Sequence, residues 1–263
     1  MKKENTLTLS NAVFLLLFAF SVFFDGFLQS ALYLIAFVAA TLVGAYRAPS
    51  DEDRLAPLAP PSARNALLAL PLVAPIIALT MLTALAFTAL FSLVGASSDV
   101  ALGENFGAAL LAHALLPAIC EELLFRYLPI LLLGRDNPKG LILTSALFFA
   151  LGHVSLVHLP YALLAGVCYM ALALVTGSVW PCILTHFLNN LLSLLLTFFP
   201  SASGAILISF SALTLVSIAA IVIHRRVYLE QVRPLLVGRS HEYLTRWPIV
   251  YAAAVLVLCA LAI

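Results

Sequence analysis

The sequence predicts an all-α fold, a polytopic transmembrane bundle of about eight to nine spanning helices with a cytoplasmic N-terminus. The first observation is composition: 63% of the 263 residues are apolar and 10% are charged, whereas a soluble domain is about half apolar and about a quarter charged. The second is the recurrence of apolar runs that are long enough to cross a bilayer. The third is the position of the basic residues, which fall between the runs on one predicted side.

Nine apolar runs approach the roughly 20 residues that a helix needs to cross the hydrocarbon core. Their limits are 9–24, 30–46, 66–95, 108–134, 141–158, 160–176, 181–199, 205–223 and 248–263. The third run contains Pro71 and Pro75, which favour a bend. The sixth run is also compatible with a re-entrant segment, which leaves about eight to nine spanning helices.

The charged residues test this segmentation, because Lys and Arg accumulate in cytoplasmic loops. With the N-terminus inside, alternation of the runs places every basic residue except Arg126 on the cytoplasmic side. The predicted outer loops contain Asp25, Asp99 and Glu104 and no basic residue. The net charge of +1 includes no dense basic patch of the kind that binds phosphates, so nucleic acid is excluded as a partner.

The chain divides into three parts. Residues 1–107 hold the N-terminal helices and a cytoplasmic loop, 108–199 form the core with the intramembrane charges, and 200–263 hold the C-terminal helices and a basic loop. The two sizeable loops, 47–65 and 224–247, carry no chemical motif. The four cysteines stand singly in apolar runs, without the spacing of a metal or redox site.

The fourth run contains a charged cluster, Glu121, Glu122 and Arg126. An ionisable side chain at the centre of a membrane helix costs roughly 2.5–3.5 kcal/mol on insertion scales, so such a cluster is functional by default. Glu122 and Arg126 are four residues apart and pair on one helix face, whereas Glu121 is rotated by about 100° and has no partner in its own helix. We therefore predict that Glu121 is a general base and that the other two residues support it. Pro117, one turn earlier, favours a kink that opens the pair to a wet cavity.

Two later runs carry polar groups at helical spacing. His153 follows Phe149 by four residues, and His186 precedes Asn190 by four, so each pair shares a helix face. Taken singly, such residues are often hydrogen-bonding contacts between helices. Taken together with Glu121, they supply the parts for hydrolysing an amide: a base, an imidazole that orients water, and donors to an oxyanion.

The same residues leave a metal mechanism open. Glu121, His153 and His186 could bind zinc, with a water in the fourth position. The sequence contains no H-E-x-x-H motif, so the common zincin arrangement is excluded. The residues alone do not separate the zinc-dependent mechanism from the metal-free one.

Three motifs follow one another on separate predicted helices: Pro117-x-x-x-Glu121-Glu122-x-x-x-Arg126, Phe149-x-x-x-His153 and His186-x-x-x-Asn190. This set resembles the CPBP family of intramembrane proteases, named for CAAX-prenyl protease and bacteriocin-processing members and also called the Abi family. The resemblance covers residues 117–190. It implies an endopeptidase at the membrane in which Glu121 activates water and His153 assists. His186 and Asn190 would hold the oxyanion.

The resemblance also bears on cofactors, partners and location. The family includes metalloproteases and metal-independent glutamate proteases, and we favour the metal-independent form. Its substrates range from prenylated C-terminal tails to bacteriocin leaders and sorting tags, so the expected partners are membrane lipid and a membrane-associated protein or peptide. The chain departs from the family at Tyr127, where Gly commonly follows the Arg, and we expect this ring to affect the pocket and the substrate class. The expected location is a bacterial cytoplasmic membrane.

Non-enzymatic functions are compatible with the same residues. The charged cluster can be a buried ion pair that only fixes helix packing. The buried Glu, His and Arg groups can also line a transporter or proton pathway, although the chain shows no inverted repeat. A scaffold or immunity protein can retain an inactive protease core, although no catalytic group is missing here. We therefore predict a protease.

The predicted site requires side chains from three helices to converge on one cavity. These residues are Glu121, His153, His186 and Asn190. The predicted run limits place His153 nearer the outer side of the membrane and His186 nearer the inner side. Helix tilt or a shifted helix boundary must therefore bring the two histidines together.

Overall fold

A computed structural model describes residues 2–21, 23–24, 26–48, 52–95 and 105–261 of the chain. Within these residues the chain forms helices and no strand, which confirms the all-α prediction. The helices are α1 Lys3–Ser21, α2 Gly26–Tyr46, α3 Ala63–Ser92, α4 Phe106–Leu133, α5 Pro138–Gly152, α6 Leu159–Thr176, α7 Trp180–Phe198, α8 Ser203–Ile223, α9 Arg225–Val232 and α10 Arg246–Leu261. All but the short α9 correspond to the predicted apolar runs.

Six helices of the described part of the chain are long and apolar enough to cross a membrane, namely α1, α3, α4, α6, α7 and α8. α2, α5 and α10 contribute shorter apolar stretches. The polytopic prediction is therefore confirmed. The predicted outer-loop residues Asp25, Asp99 and Glu104 lie outside the described residues, and the orientation of the N-terminus stays a prediction.

The helices pack around α4. Consecutive helices joined by short loops pack as antiparallel neighbours, and the pairs α1–α2 and α5–α6 do so most extensively. α4 is in contact with α1, α2, α5 and α7, and α3 lies against α6, α7 and α8. Large side chains at the centre of this packing, such as Phe125, Leu128, Leu141 and Tyr169, are at most 2% exposed. The core therefore surrounds the helix that carries the charged cluster.

α4 is continuous but contains two π-helical turns, Leu110–Leu115 and Leu123–Tyr127. In the first, the N–H of Leu116 bonds the carbonyl of Leu111, five residues earlier. π-Helical turns are rare overall, and those that occur are often found at functional sites. The first one directly precedes the segment with Pro117, where the sequence predicts a change of helix geometry. The two turns bracket the segment that carries both glutamates.

α5 ends earlier than the predicted fifth run, which extends to residue 158. The helix stops at Gly152, and the N–H of His153 bonds the carbonyl of Ala150 at 3.3 Å. Val154 has a φ of 46°, which no α-helical residue adopts. The 15 residues of α5 span about 22 Å, less than the roughly 30 Å of hydrocarbon. His153 therefore caps the C-terminal end of α5 and is not inside a longer helix as the run limits suggested, while its depth in the bilayer stays a prediction.

The two long loops are anchored to the ends of core helices. Trp180, at the start of α7, donates its indole N–H to the carbonyl of Leu58 at 2.8 Å. Asn137, which caps the start of α5, donates to Glu242 Oε2 at 2.6 Å. These contacts connect the two long loops to the N-terminal ends of α7 and α5.

Candidate active site

The predicted ion pair of α4 is present and has a third member. Arg126 Nε lies 3.1 Å from Glu122 Oε2, and both side chains are fully buried. The other oxygen of Glu122, Oε1, lies 2.8 Å from Nδ1 of His186 on α7. Because an ionised carboxylate can only accept, His186 donates from Nδ1. Glu122 therefore links α4 to α7 as well as neutralising the arginine.

The guanidinium of Arg126 lies between two aromatic rings. Its central carbon is 4.1 Å from the ring centroid of Phe149 and 5.2 Å from that of Tyr169. Desolvated cation–π contacts of this kind contribute about 2 kcal/mol. Among the described residues no N–H of Arg126 makes a hydrogen bond of good geometry, so its 3.1 Å approach to Glu122 is mainly electrostatic. The ion pair and the two rings together compensate the buried charge.

Glu121 lies beside this cluster but has different partners. Its Oε1 accepts a hydrogen bond from the hydroxyl of Tyr33 on α2 at 3.1 Å. Its Oε2 is 3.9 Å from Nε2 of His186 and, within the described ranges, has no hydrogen-bond partner. As the helix geometry predicts, neither neighbour comes from α4. One oxygen of Glu121 is therefore held, while the other faces an imidazole.

Glu121 and His153 line one cavity of about 130 Å³. The rest of its wall is mainly aromatic and comes from α1, α2 and α4. The lining residues are Phe14, Phe18, Tyr33, Phe37, Glu121, Phe125, Gly152 and His153. A Cβ atom on Gly152 would lie 2.8 Å from Cζ of Phe125, so glycine allows the end of α5 to approach this wall. An apolar cavity with a few polar groups at one side suits the binding of a small apolar group.

The His153 ring is fixed at the end of α5. Its Nδ1 lies 2.9 Å from the carbonyl oxygen of Phe149, and because a carbonyl only accepts, Nδ1 is the donor and Nε2 is left as an acceptor. The Phe149 ring centroid is 4.9 Å from that of His153 and 5.9 Å from that of His186. One phenyl ring therefore packs against both histidines, as the four-residue spacing predicts for His153.

Asn190 lies one turn after His186 on α7. In the part of the chain that the structure describes, its hydrogen bond is with the neighbouring Asn189, whose Nδ2 lies 3.4 Å from Asn190 Oδ1. Asn189 Oδ1 is in turn 3.0 Å from Oγ1 of Thr80 on α3. The NH₂ group of Asn190 is thereby left as a donor. No direct bond joins Asn190 to the other predicted catalytic residues within the described residues.

Two of these contacts were not predicted from the sequence. Tyr33 and Thr80 stand in apolar runs of α2 and α3, 88 and 109 residues from their partners Glu121 and Asn189. No spacing rule connects residues that far apart.

Tyr127 packs against Val179 and Ile183 and is not among the residues that line the cavity, so the ring does not enter the cavity in the way the sequence suggested.

The predicted zinc ligands are not assembled as a metal site. Nδ1 of His153 bonds a carbonyl, and Nδ1 of His186 bonds Glu122. Across the described residues, no group of three or more His, Cys, Asp and Glu side chains is placed to hold a metal ion. The positions of these groups suit hydrogen bonding and proton transfer.

The sequence was compared with known protein families and structures. Residues 103–192 match the family described as Type II CAAX prenyl endopeptidase Rce1-like. This match supports the resemblance of the segment to the CPBP family of intramembrane proteases. The CPBP match contains all three motifs and spans most of α4 to α7. No curated protein and no solved structure matches the chain.

The CPBP match indicates a protease, of the general CAAX protease type, in a multi-pass membrane protein. It also indicates a membrane-associated peptide as substrate. The cavity beside Glu121 draws its aromatic wall partly from α1 and α2, which lie outside the CPBP segment. The site is therefore built by more of the chain than the family match covers.

Proposed function

We propose that this protein is a metal-independent intramembrane endopeptidase in which Glu121 activates water to hydrolyse a peptide bond of a membrane-associated substrate. The observation that carries the proposal is the division between adjacent glutamates. Both oxygens of Glu122 face close cationic or imidazole groups, Arg126 at 3.1 Å and His186 at 2.8 Å. Oε2 of Glu121 has neither a hydrogen bond nor an ion-pair contact closer than the 3.9 Å to Nε2 of His186 among the described residues. A general base needs such an oxygen in order to take a proton.

In the proposed reaction, Oε2 of Glu121 takes one proton from a water molecule while the water oxygen attacks the carbonyl carbon of the scissile amide. His153 accepts a hydrogen bond from the same water at Nε2, since its Nδ1 is held by a backbone carbonyl. Glu121 then delivers its proton to the amide nitrogen. The C–N bond breaks, and the products are a carboxylic acid and an amine.

Two groups are suited to stabilise the oxyanion that forms during the attack. His186 donates from Nδ1 to Glu122, and with a second proton on Nε2 it would donate from there as well. The two carboxylates of Glu121 and Glu122 would then be balanced by the positive charges of Arg126 and His186. The free NH₂ group of Asn190 is the second donor. A preorganised donor to an oxyanion contributes about 3 kcal/mol to lowering the barrier.

The aromatic cavity is proposed to bind an apolar side chain of the substrate next to the scissile bond. Its volume of about 130 Å³ is close to that of an engineered cavity of about 150 Å³ that binds benzene. One leucine-sized or phenyl-sized group therefore fits. With Glu121 and His153 in the same wall, a side chain seated there places the adjoining peptide bond beside both groups.

The substitution Glu121→Gln tests the proposed base. Glutamine retains an oxygen that accepts from Tyr33, but it cannot take a proton from water. We expect cleavage to fall by roughly 10²- to 10⁴-fold, with the thermal unfolding midpoint nearly unchanged. The measurement is cleavage of C-terminally tailed peptides, with and without lipidation, by the purified protein in proteoliposomes.

The matched control is Glu230→Gln, because Glu230 is an exposed carboxylate on α9, and cleavage should stay at the wild-type rate. Undiminished cleavage by the Glu121→Gln variant would show that another group is the base. Chelator treatment should leave the wild-type rate unchanged. Loss of cleavage that zinc restores would overturn the metal-independent mechanism.

A further inference from the structure

We infer that the N-terminal hairpin α1–α2 completes the active site, with Tyr33 as a positioning residue that orients the carboxylate of Glu121. The inference rests on the proposed function, since it assumes that Glu121 is the base. Tyr33 lies outside residues 103–192, which carry the family match. The chain would therefore use a helix outside its protease core to set the geometry of the reaction.

The Tyr33 ring is held by three phenyl rings. Its centroid lies 4.9 Å from that of Phe37, 5.7 Å from Phe18 and 6.3 Å from Phe14. The interplanar angles are 85°, 66° and 67°, which correspond to the favourable edge-to-face arrangement of aromatic rings. A ring packed in this way has little rotational freedom, so α2 presents the hydroxyl at a fixed point.

The hydroxyl of Tyr33 holds one specific oxygen of Glu121. It lies 3.1 Å from Oε1, and it is the donor because an ionised carboxylate only accepts. The terminal torsion of a glutamate is broad, so a carboxylate held at neither oxygen samples many orientations. With Oε1 fixed, Oε2 faces Nε2 of His186 at 3.9 Å. This is the orientation in which the proposed base can take a proton.

The adjacent glutamate shows why Tyr33 is needed. Glu122 has Arg126 on one oxygen and His186 on the other, so its orientation is set within the protease core. Glu121 has no partner of this kind from α4, and among the described residues Tyr33 supplies its single hydrogen bond. Removing the hydroxyl would leave the base without a fixed orientation while the supporting pair is unaffected.

The substitution Tyr33→Phe removes the hydroxyl and keeps the ring that lines the cavity. We expect kcat to fall roughly 10- to 100-fold, as for the misplacement of a catalytic group. KM should stay close to the wild-type value, because the cavity wall is retained. The matched control is Tyr251→Phe: the Tyr251 hydroxyl is buried without a hydrogen-bond partner among the described residues, and its ring packs on Phe148 of α5 at 5.1 Å. This control should keep wild-type kcat and KM.

An infrared measurement supplies a readout that does not depend on turnover. The band of the Glu121 carboxyl group is identified as the one lost in the Glu121→Gln variant. We expect this band to shift in Tyr33→Phe and to stay in place in Tyr251→Phe. A band that does not shift would mean that the hydroxyl does not bond Glu121, and the inference would be wrong.

The outcomes separate this inference from the proposed function. An inactive Glu121→Gln variant together with wild-type kcat in Tyr33→Phe would overturn the positioning role and leave the base in place. An active Glu121→Gln variant would overturn the base, and the role of Tyr33 with it. A Tyr33→Phe variant that unfolds at a lower temperature but keeps its kcat would show that the bond serves helix packing alone.

Discussion

α4 and α8 are both long apolar helices, yet they meet their surroundings differently. In the apolar window of α4, 44% of the residues are buried inside the protein, whereas in that of α8 the share is 6%. α4 carries two glutamates and an arginine near its middle, while α8 carries no charged residue. One helix is surrounded by other helices, and the other presents nearly its whole surface to the outside of the bundle.

This difference follows from the charged side chains of α4, which need polar or ionic partners in the bilayer, whereas α8 has none. Lipid tails are as apolar as leucine, so an apolar helix gains little from exchanging lipid for protein. Ionisable groups in the bilayer need partners, and α4 obtains them from α2, α5 and α7 through Tyr33, Phe149 and His186. The position of α4 at the centre of the bundle is therefore tied to its chemistry.

The largest effect is expected from Arg126→Leu. The substitution leaves the carboxylate of Glu122, which is fully buried, without its cationic partner, and breaking a buried pair costs about 3–5 kcal/mol. We expect a large fall in the thermal unfolding midpoint in detergent and a low yield of folded protein. The double variant Glu122→Gln/Arg126→Leu removes both charges and should be more stable than Arg126→Leu alone. A single variant as stable as the wild type would show that α4 does not depend on this pair.

An intermediate effect is expected from Thr80→Val, which removes a hydroxyl that lies 3.0 Å from Asn189 Oδ1 and also 3.0 Å from the carbonyls of Ile76 and Ile77 in its own helix. A neutral hydrogen bond contributes about 0.5–1.5 kcal/mol, so loss of the orientation that Asn189 imposes on Asn190 should lower kcat by about twofold to tenfold. The measurement is steady-state cleavage in proteoliposomes. Thr83→Val is the matched control, because its hydroxyl is exposed and bonds only a carbonyl of α3, that of Leu79. Equal rates in the two variants would contradict a role for the α3 contact.

The smallest effect is expected from Ile208→Leu on α8. Ile208 is 73% exposed, so an apolar exchange there should change the free energy of unfolding by no more than about 0.5 kcal/mol. Cleavage and unfolding midpoint are both measured against the wild type. A marked loss of either would mean that this face of α8 contacts something other than lipid.

The positions of the helices were predictable because apolar length is a local property of the sequence. The end of α5 was not, since Val154, Leu156 and Val157 continue the apolar run after the backbone has left the helix. Hydropathy reports what can lie in lipid, and it does not report where helical hydrogen bonding stops. The chain turns at Val154, with its φ of 46°, directly after His153, which lines the same cavity as Glu121.

The site was predictable to the extent that it depends on neighbours within one helix. The Glu122–Arg126 pair follows from a four-residue spacing, and so does the packing of His153 on Phe149. The bond from His186 to Glu122 was not predicted, because His186 was expected to stabilise the oxyanion or to bind zinc. Distances between helices are set by the packing of whole helix faces, which no short spacing rule encodes.

The sequence by itself determined that the chain lies in a membrane, that it is helical, and that a few ionisable groups lie where lipid would penalise them. These properties depend on composition and on local periodicity. Only the tertiary structure decided which oxygen of Glu121 is held by Tyr33 and which is left open, and that Glu122 is shared between Arg126 and His186. The physical reason is that a carboxylate's environment is set by groups from other helices, brought within hydrogen-bond distance by the packing of the bundle.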